Sequence, residues 1–303
     1  MKTIMYHYIK PDFNEYQYFN YLDIDIFKRQ LDFFEEEWGF LSKEEFFECI
    51  ENNRLSENVV LTFDDGLKDH YAEILPILLN KKIWGIFYIP TGVHTTDKKQ
   101  LLGVHRVHYL KGKYGAETIL EKALSLVADT MLDTDLIGEF DKEIYTHSHY
   151  TEAEKSLRRL FNYFVSYDYR DKLLDELMKY YFDENTLFDE VYMTQSEISE
   201  LASYGSIVGS HTVSHRVLSR LSYDEQRIEV KKSFDYLDSF LNLEVKSFCY
   251  PYGYKSSYNY DTLKVLEQLG VHHAFVFDNQ IENQGKIRPY EISRIDCNQF
   301  LEV

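Results

Sequence analysis

The sequence predicts an α/β fold with a parallel sheet, because short apolar runs alternate along the chain with stretches of helical periodicity. Asn58–Phe63 and Trp84–Ile89 are two such runs, and both end at turn residues. A Ser-Tyr-Asp-Glu capping box at residues 222–225 begins one of the helical stretches. A sheet of this kind is either open or closed into a barrel, and these residues do not decide between the two.

The expected elements follow one another in a regular order. Strands are predicted where the runs are short and apolar, at Thr3–Tyr8, Asn58–Phe63, Trp84–Ile89, Ser206–Ser210, Val245–Tyr250 and Val271–Phe277. Helices are predicted where apolar residues recur at helical spacing, at Leu67–Lys82 with a kink at Pro76, and at Ser196–Tyr204, 222–241 and Tyr260–Leu269. The second and last of these helices end before a glycine, which is typical of a helix C-terminus.

Residues 96–192 depart from this alternation. They carry helical patterns, at Ala116–Ala128, Glu152–Tyr167 and Tyr169–Phe182, and no strand pattern. We therefore predict a core domain formed by residues 1–95 and 193–303, interrupted by a helical insertion at 96–192. The insertion is interpreted either as a lid or partner surface, including a surface for a homo-oligomer, or as a stabilising decoration.

The composition restricts the classes of function. The chain has 33 Lys+Arg and 51 Asp+Glu, a net charge of −18, which disfavours non-specific binding to nucleic acid or anionic membranes. Aromatic residues make up 16%, with 26 Tyr, which suits sugar-binding surfaces but equally suits core packing. Three widely spaced cysteines without a CxxC pair favour a reducing compartment. Without a secretory apolar region or a run long enough to span a bilayer, we expect a cytoplasmic protein with no transmembrane segment.

Polar residues follow two of the predicted strands. Asp64 and Asp65 stand before Gly66 at the end of Asn58–Phe63, and the carboxyl ends of parallel strands are where α/β folds build sites. His211 and His215 follow another strand and are four residues apart, a spacing that places both on one face of a helix and allows metal chelation. An acidic ligand from Asp65 would complete the two-His, one-carboxylate set that metal-assisted hydrolysis needs. A polar turn and a chance histidine pair are the alternatives.

Three motifs in order give a more specific indication. The segments TFDDG at 62–66, GSHTVSH at 209–215 and FCYPYG at 248–253 together resemble the ordered motifs of the NodB-type polysaccharide deacetylases. The resemblance covers about residues 2–95 and 193–295. It implies a distorted seven-stranded β/α barrel and a metal-dependent hydrolase that removes an N-acyl group, acetyl in first place, from an amino sugar.

The resemblance also implies roles for individual residues. It implies Asp65, His211 and His215 as ligands of one divalent ion, with Zn²⁺ preferred and Co²⁺, Ni²⁺ or Mn²⁺ as alternatives. Asp64 then corresponds to the catalytic base. Pro251 and Tyr252 correspond to a wall of the site, in which the backbone N–H of Tyr252 helps to hold the oxyanion. Tyr250 stands beside them as a substrate contact, and sugar contact is also expected of Tyr6, Tyr8 and Tyr254.

Two departures from the family pattern bear on catalysis. Cys249 stands where many members carry an arginine that steadies the catalytic aspartate, and the C-terminal Leu-x-His, whose histidine is the acid, is missing. In the branch that resembles the biofilm poly-N-acetylglucosamine deacetylases, an N-terminal MYH motif supplies the acid. Here Met5-Tyr6-His7 matches that motif and implies His7 as the general acid, with a core histidine as the alternative. Arg294 follows the same branch and is expected to orient Asp64, with a surface salt bridge as the alternative.

Other functions remain open at this stage. The scissile group is acetyl, formyl, a larger acyl group or an ester, and the substrate is a glycan or a nucleotide- or lipid-linked sugar. A rival from another class is a catalytically silent sugar-binding or scaffold protein on the same fold. The other histidines, among them His105, His108, His147, His149, His272 and His273, are expected to be solvated or core residues.

Overall fold

The protein is described by a computed structural model over residues 1–11, 15–96, 98–134, 150–277 and 287–303. Within these residues, eight parallel strands form the main sheet. They are β1 Lys2–Tyr6, β4 Val59–Phe63, β5 Gly85–Ile89, β6 Ile207–Ser210, β7 Ser247–Cys249, β8 His273–Val276, β9 Ile292–Ser293 and β10 Ile295–Asp296. The strands β2 Ile9–Lys10 and β3 Leu22–Asp23 form a separate pair.

The main sheet is nearly closed into a barrel. Its order is β10-β1-β4-β5-β6-β7-β8-β9, so β9 and β10 form the two edges. These edge strands are separated only by Arg294, and the same short segment pairs with β8 through Ile292 and with β1 through Ile295. The predicted α/β barrel is therefore confirmed as a nearly closed barrel of parallel strands. Among the described residues the main sheet has eight strands where the resemblance implies seven, and Arg294 divides the last segment into β9 and β10.

Helices cover the sheet. They are α1 Ile24–Glu37, α2 Lys43–Glu51, α3 Leu75–Lys81, α4 Gly103–Tyr114, α5 Ala116–Leu126, α6 Glu152–Arg159, α7 Tyr167–Tyr181, α8 Glu184–Val191, α9 Gln195–Ser203, α10 Tyr223–Leu241 and α11 Tyr260–Gln268. Strands β1, β4 and β5 are buried along almost their whole length, as expected when helices cover the sheet.

The predicted helix over residues 67–82 is wrong in its details. A π-helical turn at His70–Ile74 comes first, and α3 then begins at Leu75 with Pro76 in its first turn. A proline is tolerated there because the N–H groups of a first helical turn have no partner within the helix. Pro76 therefore begins a helix where the sequence predicts a kink.

The segment between β5 and β6 is helical in its described part. Its buried side chains, such as Leu110, Leu157 and Leu177, belong to one apolar cluster. That cluster also contains Tyr8, Leu67 and Val93, which follow β1, β4 and β5. The helices after β5 therefore pack over the carboxyl ends of the strands. His147 and His149 lie outside the described residues.

All three cysteines are unpaired and buried. Among the helices of the described segments, none has the length and apolar character needed to cross a bilayer.

Candidate active site

Five predicted site residues lie at or near the carboxyl ends of the strands. His7 follows β1, Asp64 and Asp65 follow β4, and His211 follows β6. Arg294 separates β9 from β10. Because the strands are parallel, these side chains meet at one end of the barrel.

Asp65, His211 and His215 form a buried cluster of potential metal donors. The Nε2 atoms of His215 and His211 lie 3.4 and 3.7 Å from Asp65 Oδ1. Donor atoms of all three residues lie within 4.8 Å of one another. Donors about 2.0–2.1 Å from a tetrahedral zinc ion would be roughly 3.3 Å apart, so the spacing suits a divalent ion.

The hydrogen bonding of this cluster also fits a metal. Asp65 Oδ1 is buried without a hydrogen-bond partner among the described residues, which is costly for a carboxylate oxygen unless a cation satisfies it. His211 Nδ1 lies 2.8 Å from the carbonyl oxygen of Cys249. A carbonyl only accepts, so Nδ1 carries the proton and Nε2 keeps its lone pair towards Asp65.

The protonation states are those that metal ligands need. Burial lowers the pKa of His215 to about 3 and lowers the pKa of His211, so both imidazoles are neutral at pH 7. Burial by itself raises the pKa of Asp65, but the neighbouring imidazoles of His105 and His215 outweigh it and hold the pKa well below its usual value. The site therefore offers one ionised carboxylate and two neutral imidazoles as potential metal ligands.

The histidine pair lies in a loop and not on the helix face that the spacing suggests. Thr212 and His215 have positive φ values of 65° and 53°, which fold the chain back between the two rings. Glu229 holds the loop by accepting from the backbone N–H groups of Val213 and Ser214, at 3.0 and 2.8 Å. The convergence predicted for the histidines is present, but it arises from this turn.

Strained backbone is concentrated at this site. Asp65 has φ 78° and Tyr252 has φ 65°, in addition to Thr212 and His215. Left-handed backbone costs of the order of 1–3 kcal/mol for a residue with a Cβ, and such strain collects where function fixes the geometry. At Asp65 it explains how two consecutive carboxylates turn towards the same end of the barrel.

Arg294 forms a bidentate salt bridge with Asp64. Its two terminal nitrogens donate to Asp64 Oδ1 and Oδ2 at 2.8 and 2.7 Å, and the arginine is only 1% exposed. Burial by itself raises the pKa of Asp64, but the Arg294 guanidinium outweighs it and leaves the pKa at about 2. The alternative of a surface salt bridge is therefore wrong.

Cys249 lies next to the same carboxylate. Its Sγ is 3.6 Å from Asp64 Oδ2, where a thiol acts as a weak donor. Burial raises the pKa of the thiol well above its usual value, so it stays protonated. Cys249 stands where an arginine is expected and cannot provide a positive charge. Arg294 provides that charge beside Asp64 instead.

His7 lies at the edge of the cluster and has access to solvent. Its side chain is 38% exposed, and Nε2 lies 3.6 Å from Asp64 Oδ2. The backbone carbonyl of His7 accepts from His70 Nε2 at 2.8 Å, which fixes the chain at the end of β1. The alternative of a core histidine is wrong for this residue.

The predicted substrate contacts divide into two groups. Tyr252 is half-buried, and its ring packs edge-on against His215 at 4.9 Å between centroids. The ring of Tyr250 is buried in the core against Tyr258, and its hydroxyl donates to the carbonyl of Tyr290. Pro251 between them is buried. The expected sugar contact is therefore wrong for the Tyr250 ring.

The same correction applies to two tyrosines near the N-terminus. Tyr6 is fully buried, and its hydroxyl donates to Gln30 Oε1 at 2.8 Å. Tyr8 is buried in the helical cluster with its hydroxyl 3.2 Å from His108 Nδ1. Aromatic rings with satisfied hydroxyls in a core are packing residues.

One residue next to the cluster was not predicted. His105 on α4 was expected to be a solvated or core histidine, and it is buried. Its Nε2 lies 3.2 Å from Asp65 Oδ2, whereas the two other histidines have their closest contacts with Oδ1. The helical segment between β5 and β6 thus contributes a side chain to the candidate metal centre.

Comparison with known proteins points to one family. Residues 168–274 match the family model described as polysaccharide deacetylase. YxkH of Bacillus subtilis (strain 168), which is named for the polysaccharide deacetylases, is 30% identical over 79 residues. That alignment covers 26% of this chain and 27% of YxkH, so it spans only about a quarter of the curated relative. The predicted resemblance is confirmed.

Solved structures share the fold over nearly the whole chain. The Streptococcus pyogenes deacetylase PplD in complex with acetate is 21% identical, with a TM-score of 0.58, and the match covers 98% of this chain and 91% of PplD. IcaB from Ammonifex degensii is 16% identical, with a TM-score of 0.56 and coverage of 97% and 90%. A de-N-acetylase from Aggregatibacter actinomycetemcomitans is 14% identical, with a TM-score of 0.55 and coverage of 98% and 95%. At these identities the matches establish the fold.

Proposed function

Taking the chain as a relative of the polysaccharide deacetylases, we propose that it is a metal-dependent hydrolase that removes an N-acyl group, acetyl in first place, from an amino sugar. One observation carries the proposal. The buried donors Asp65, His211 and His215 adjoin a second carboxylate, Asp64, which is ionised and held by Arg294. Two adjacent carboxylates in different surroundings provide one metal ligand and one proton acceptor.

Asp65, His211 and His215 would hold the ion, and their mixture of imidazole and carboxylate donors suits Zn²⁺, with Co²⁺, Ni²⁺ and Mn²⁺ as alternatives. The chemistry that such an ion would supply is polarisation of the amide carbonyl and a lowering of the pKa of water towards ~7. The chain itself supplies the proton transfers and the orientation of the substrate.

Asp64 accepts the proton of the attacking water. The bidentate salt bridge with Arg294 fixes the plane of this carboxylate, so the base is already oriented before the substrate binds. His7 is the general acid, since it is the part-exposed imidazole beside Asp64 and is able to donate to the departing nitrogen. The backbone N–H of Tyr252, next to His215, is the proposed oxyanion donor.

Acetate release tests the proposal. Protein stripped of metal with a chelator and reloaded with Zn²⁺ or Co²⁺ is incubated with N-acetylglucosamine oligomers and with nucleotide-linked and lipid-linked N-acetyl sugars. We expect release only from the loaded protein, and a loss of about 10²–10⁴-fold in Asp64→Asn at equal metal content. Asp235→Asn, on the exposed face of α10, is the matched control and should keep full activity.

Three results would contradict the proposal. Equal release by stripped and loaded protein would exclude the metal, and full activity of Asp64→Asn would exclude this base. Sugar binding without release from any N-acetyl, N-formyl or O-acetyl substrate would favour the silent sugar-binding protein.

The unpaired cysteines support a reducing compartment, and therefore nucleotide- or lipid-linked sugars as better substrates than an exported polymer.

A further inference from the structure

His105 lies beside the candidate metal centre. It lies on α4, is 0% exposed, and places Nε2 3.2 Å from Asp65 Oδ2. Among the described residues this buried nitrogen has no hydrogen-bond partner of normal geometry, so the Asp65 carboxylate is the polar group beside it. The other carboxylate oxygen, Oδ1, faces His211 and His215. The two oxygens of the Asp65 carboxylate therefore have different imidazole neighbours.

Tyr192 contacts the other ring nitrogen of His105. The backbone N–H of Leu102 donates to the Tyr192 hydroxyl oxygen at 3.0 Å, so this oxygen already acts as an acceptor. The same hydroxyl lies 2.5 Å from His105 Nδ1. Burial raises the pKa of Tyr192 well above its usual value, so the phenol keeps a proton that it is able to donate to Nδ1. A neutral imidazole that accepts at Nδ1 carries its own proton on Nε2, the atom that faces Asp65.

We propose that His105 is a positioning residue, which directs its Nε2–H at Asp65 Oδ2 and thereby keeps Oδ1 directed at the metal. The proposal rests on the metal site of the proposed function. It gives the helical segment a defined role in that site, through the chain Leu102 N–H, Tyr192 hydroxyl, His105 and Asp65. Partners of this kind behind a metal ligand fix its orientation and typically contribute 10–100-fold in metal affinity.

A direct ligand role for His105 is less consistent with these contacts. A metal needs the bare lone pair of Nε2, whereas donation from Tyr192 leaves the proton on that nitrogen. Donor atoms of Asp65, His211 and His215 lie within 4.8 Å of one another, and His105 is not part of that set.

The helix that carries His105 is held by its own ion pairs. Arg106, the next residue, donates to both carboxylate oxygens of Glu184 at 2.6 and 2.7 Å, and Glu184 also accepts from the backbone N–H of Leu101. Asp175 of α7 lies 2.9 Å from the same guanidinium. These contacts fix the start of α4, and with it the position of the His105 ring.

Titration with Co²⁺ tests the proposal without any activity measurement. In His105→Leu the donor is lost, and we expect the affinity to fall about 10–100-fold. His105→Gln places an amide N–H near the position of Nε2 and should bind within a few-fold of wild type, whereas the shorter His105→Asn should resemble His105→Leu. Tyr192→Phe should lower the affinity less than His105→Leu. His108→Leu, on the same helix and bonded to Tyr8, is the matched control and should bind like wild type.

The visible spectrum at saturating Co²⁺ distinguishes positioning from ligation. A positioning residue leaves the spectrum of the saturated site as in wild type, while its loss weakens binding. Equal affinities of the Gln and Asn variants, or a spectrum of changed coordination in either, would overturn the proposal even if His105→Leu does not fold. Wild-type protein that binds no Co²⁺ would overturn the metal site and this role together, whereas tight binding by every variant would overturn this role alone.

Discussion

The barrel loops and the helical segment hold their site residues by different means. Asp65, Thr212 and His215 are fixed by left-handed backbone at the ends of β4 and β6, so their geometry is local to the chain. His105 is fixed by side chains from distant parts of the helical segment, Tyr192 and Glu184 among its supports. The barrel side therefore depends on turns that a short motif encodes, and the helical side depends on packing that no short motif encodes.

Arg294→Met should have the largest effect, and it tests the barrel side. The substitution leaves the Asp64 carboxylate buried without its charged partner, which costs about 3–5 kcal/mol. Urea unfolding measures this loss in the free energy of unfolding. The double variant Asp64→Asn/Arg294→Met should recover part of it, because no unpaired charge remains. A loss below about 1 kcal/mol in the single variant would show that the pair does not hold this end of the barrel.

A pH effect on stability is expected from His273 on β8. Burial lowers its pKa to about 3, with a smaller contribution from His272, whereas the unfolded chain titrates near 6.5. Between these values only the unfolded chain takes up the proton, so this group lowers stability as the pH falls below about 6.5. His273→Gln should remove up to about 1.4 kcal/mol per pH unit of that slope.

Unfolding of metal-free protein at pH 5, 6 and 7 measures the effect of His273→Gln. His272→Gln is the control, since its side chain is 30% exposed, and it should keep most of the wild-type slope. Identical slopes for wild type and His273→Gln would show that the buried imidazole is not kept neutral in the folded barrel.

Glu184→Gln should have the smallest effect, and it tests the helical side. It keeps the shape of the contact with Arg106 but removes the charge, so α4 is held less firmly. We expect metal affinity to fall about two- to fivefold, the equivalent of about 0.5–1 kcal/mol, with the turnover of the saturated protein unchanged. If turnover fell at full metal occupancy, the helical segment would affect the chemical reaction itself, and its effect would not be limited to the orientation of Asp65 at the metal.

The same difference between barrel loops and helical segment decides which site residues can be predicted from the sequence. The alternation of strands and helices, and the motifs at Asp64, Asp65, His211 and His215, depend on contacts close along the chain or on strand ends. His105 shows no such signal, because its contact with Asp65 arises only when α4 packs over the barrel. Its spacing from His108 is equally typical of a core helix.

Burial of the aromatic residues was equally hard to predict. Tyr6, Tyr8 and Tyr250 stand beside site motifs, yet their rings are buried, whereas Tyr252 is half-buried and packs against His215. A tyrosine at the end of a strand points into the core or into the site according to the local twist of the chain. Tyr252, with φ 65°, and Tyr250 differ in this respect although they are two residues apart.

Metal content tests the central claim most directly. Wild-type protein and the variants Asp65→Asn and His215→Ala are loaded with Zn²⁺, freed of excess by gel filtration and analysed by elemental mass spectrometry. We predict about one ion per chain in wild type and in the control Asp235→Asn, and close to none in the two site variants, because the buried donor set is broken. Equal metal content in wild type, Asp65→Asn and His215→Ala would contradict the account.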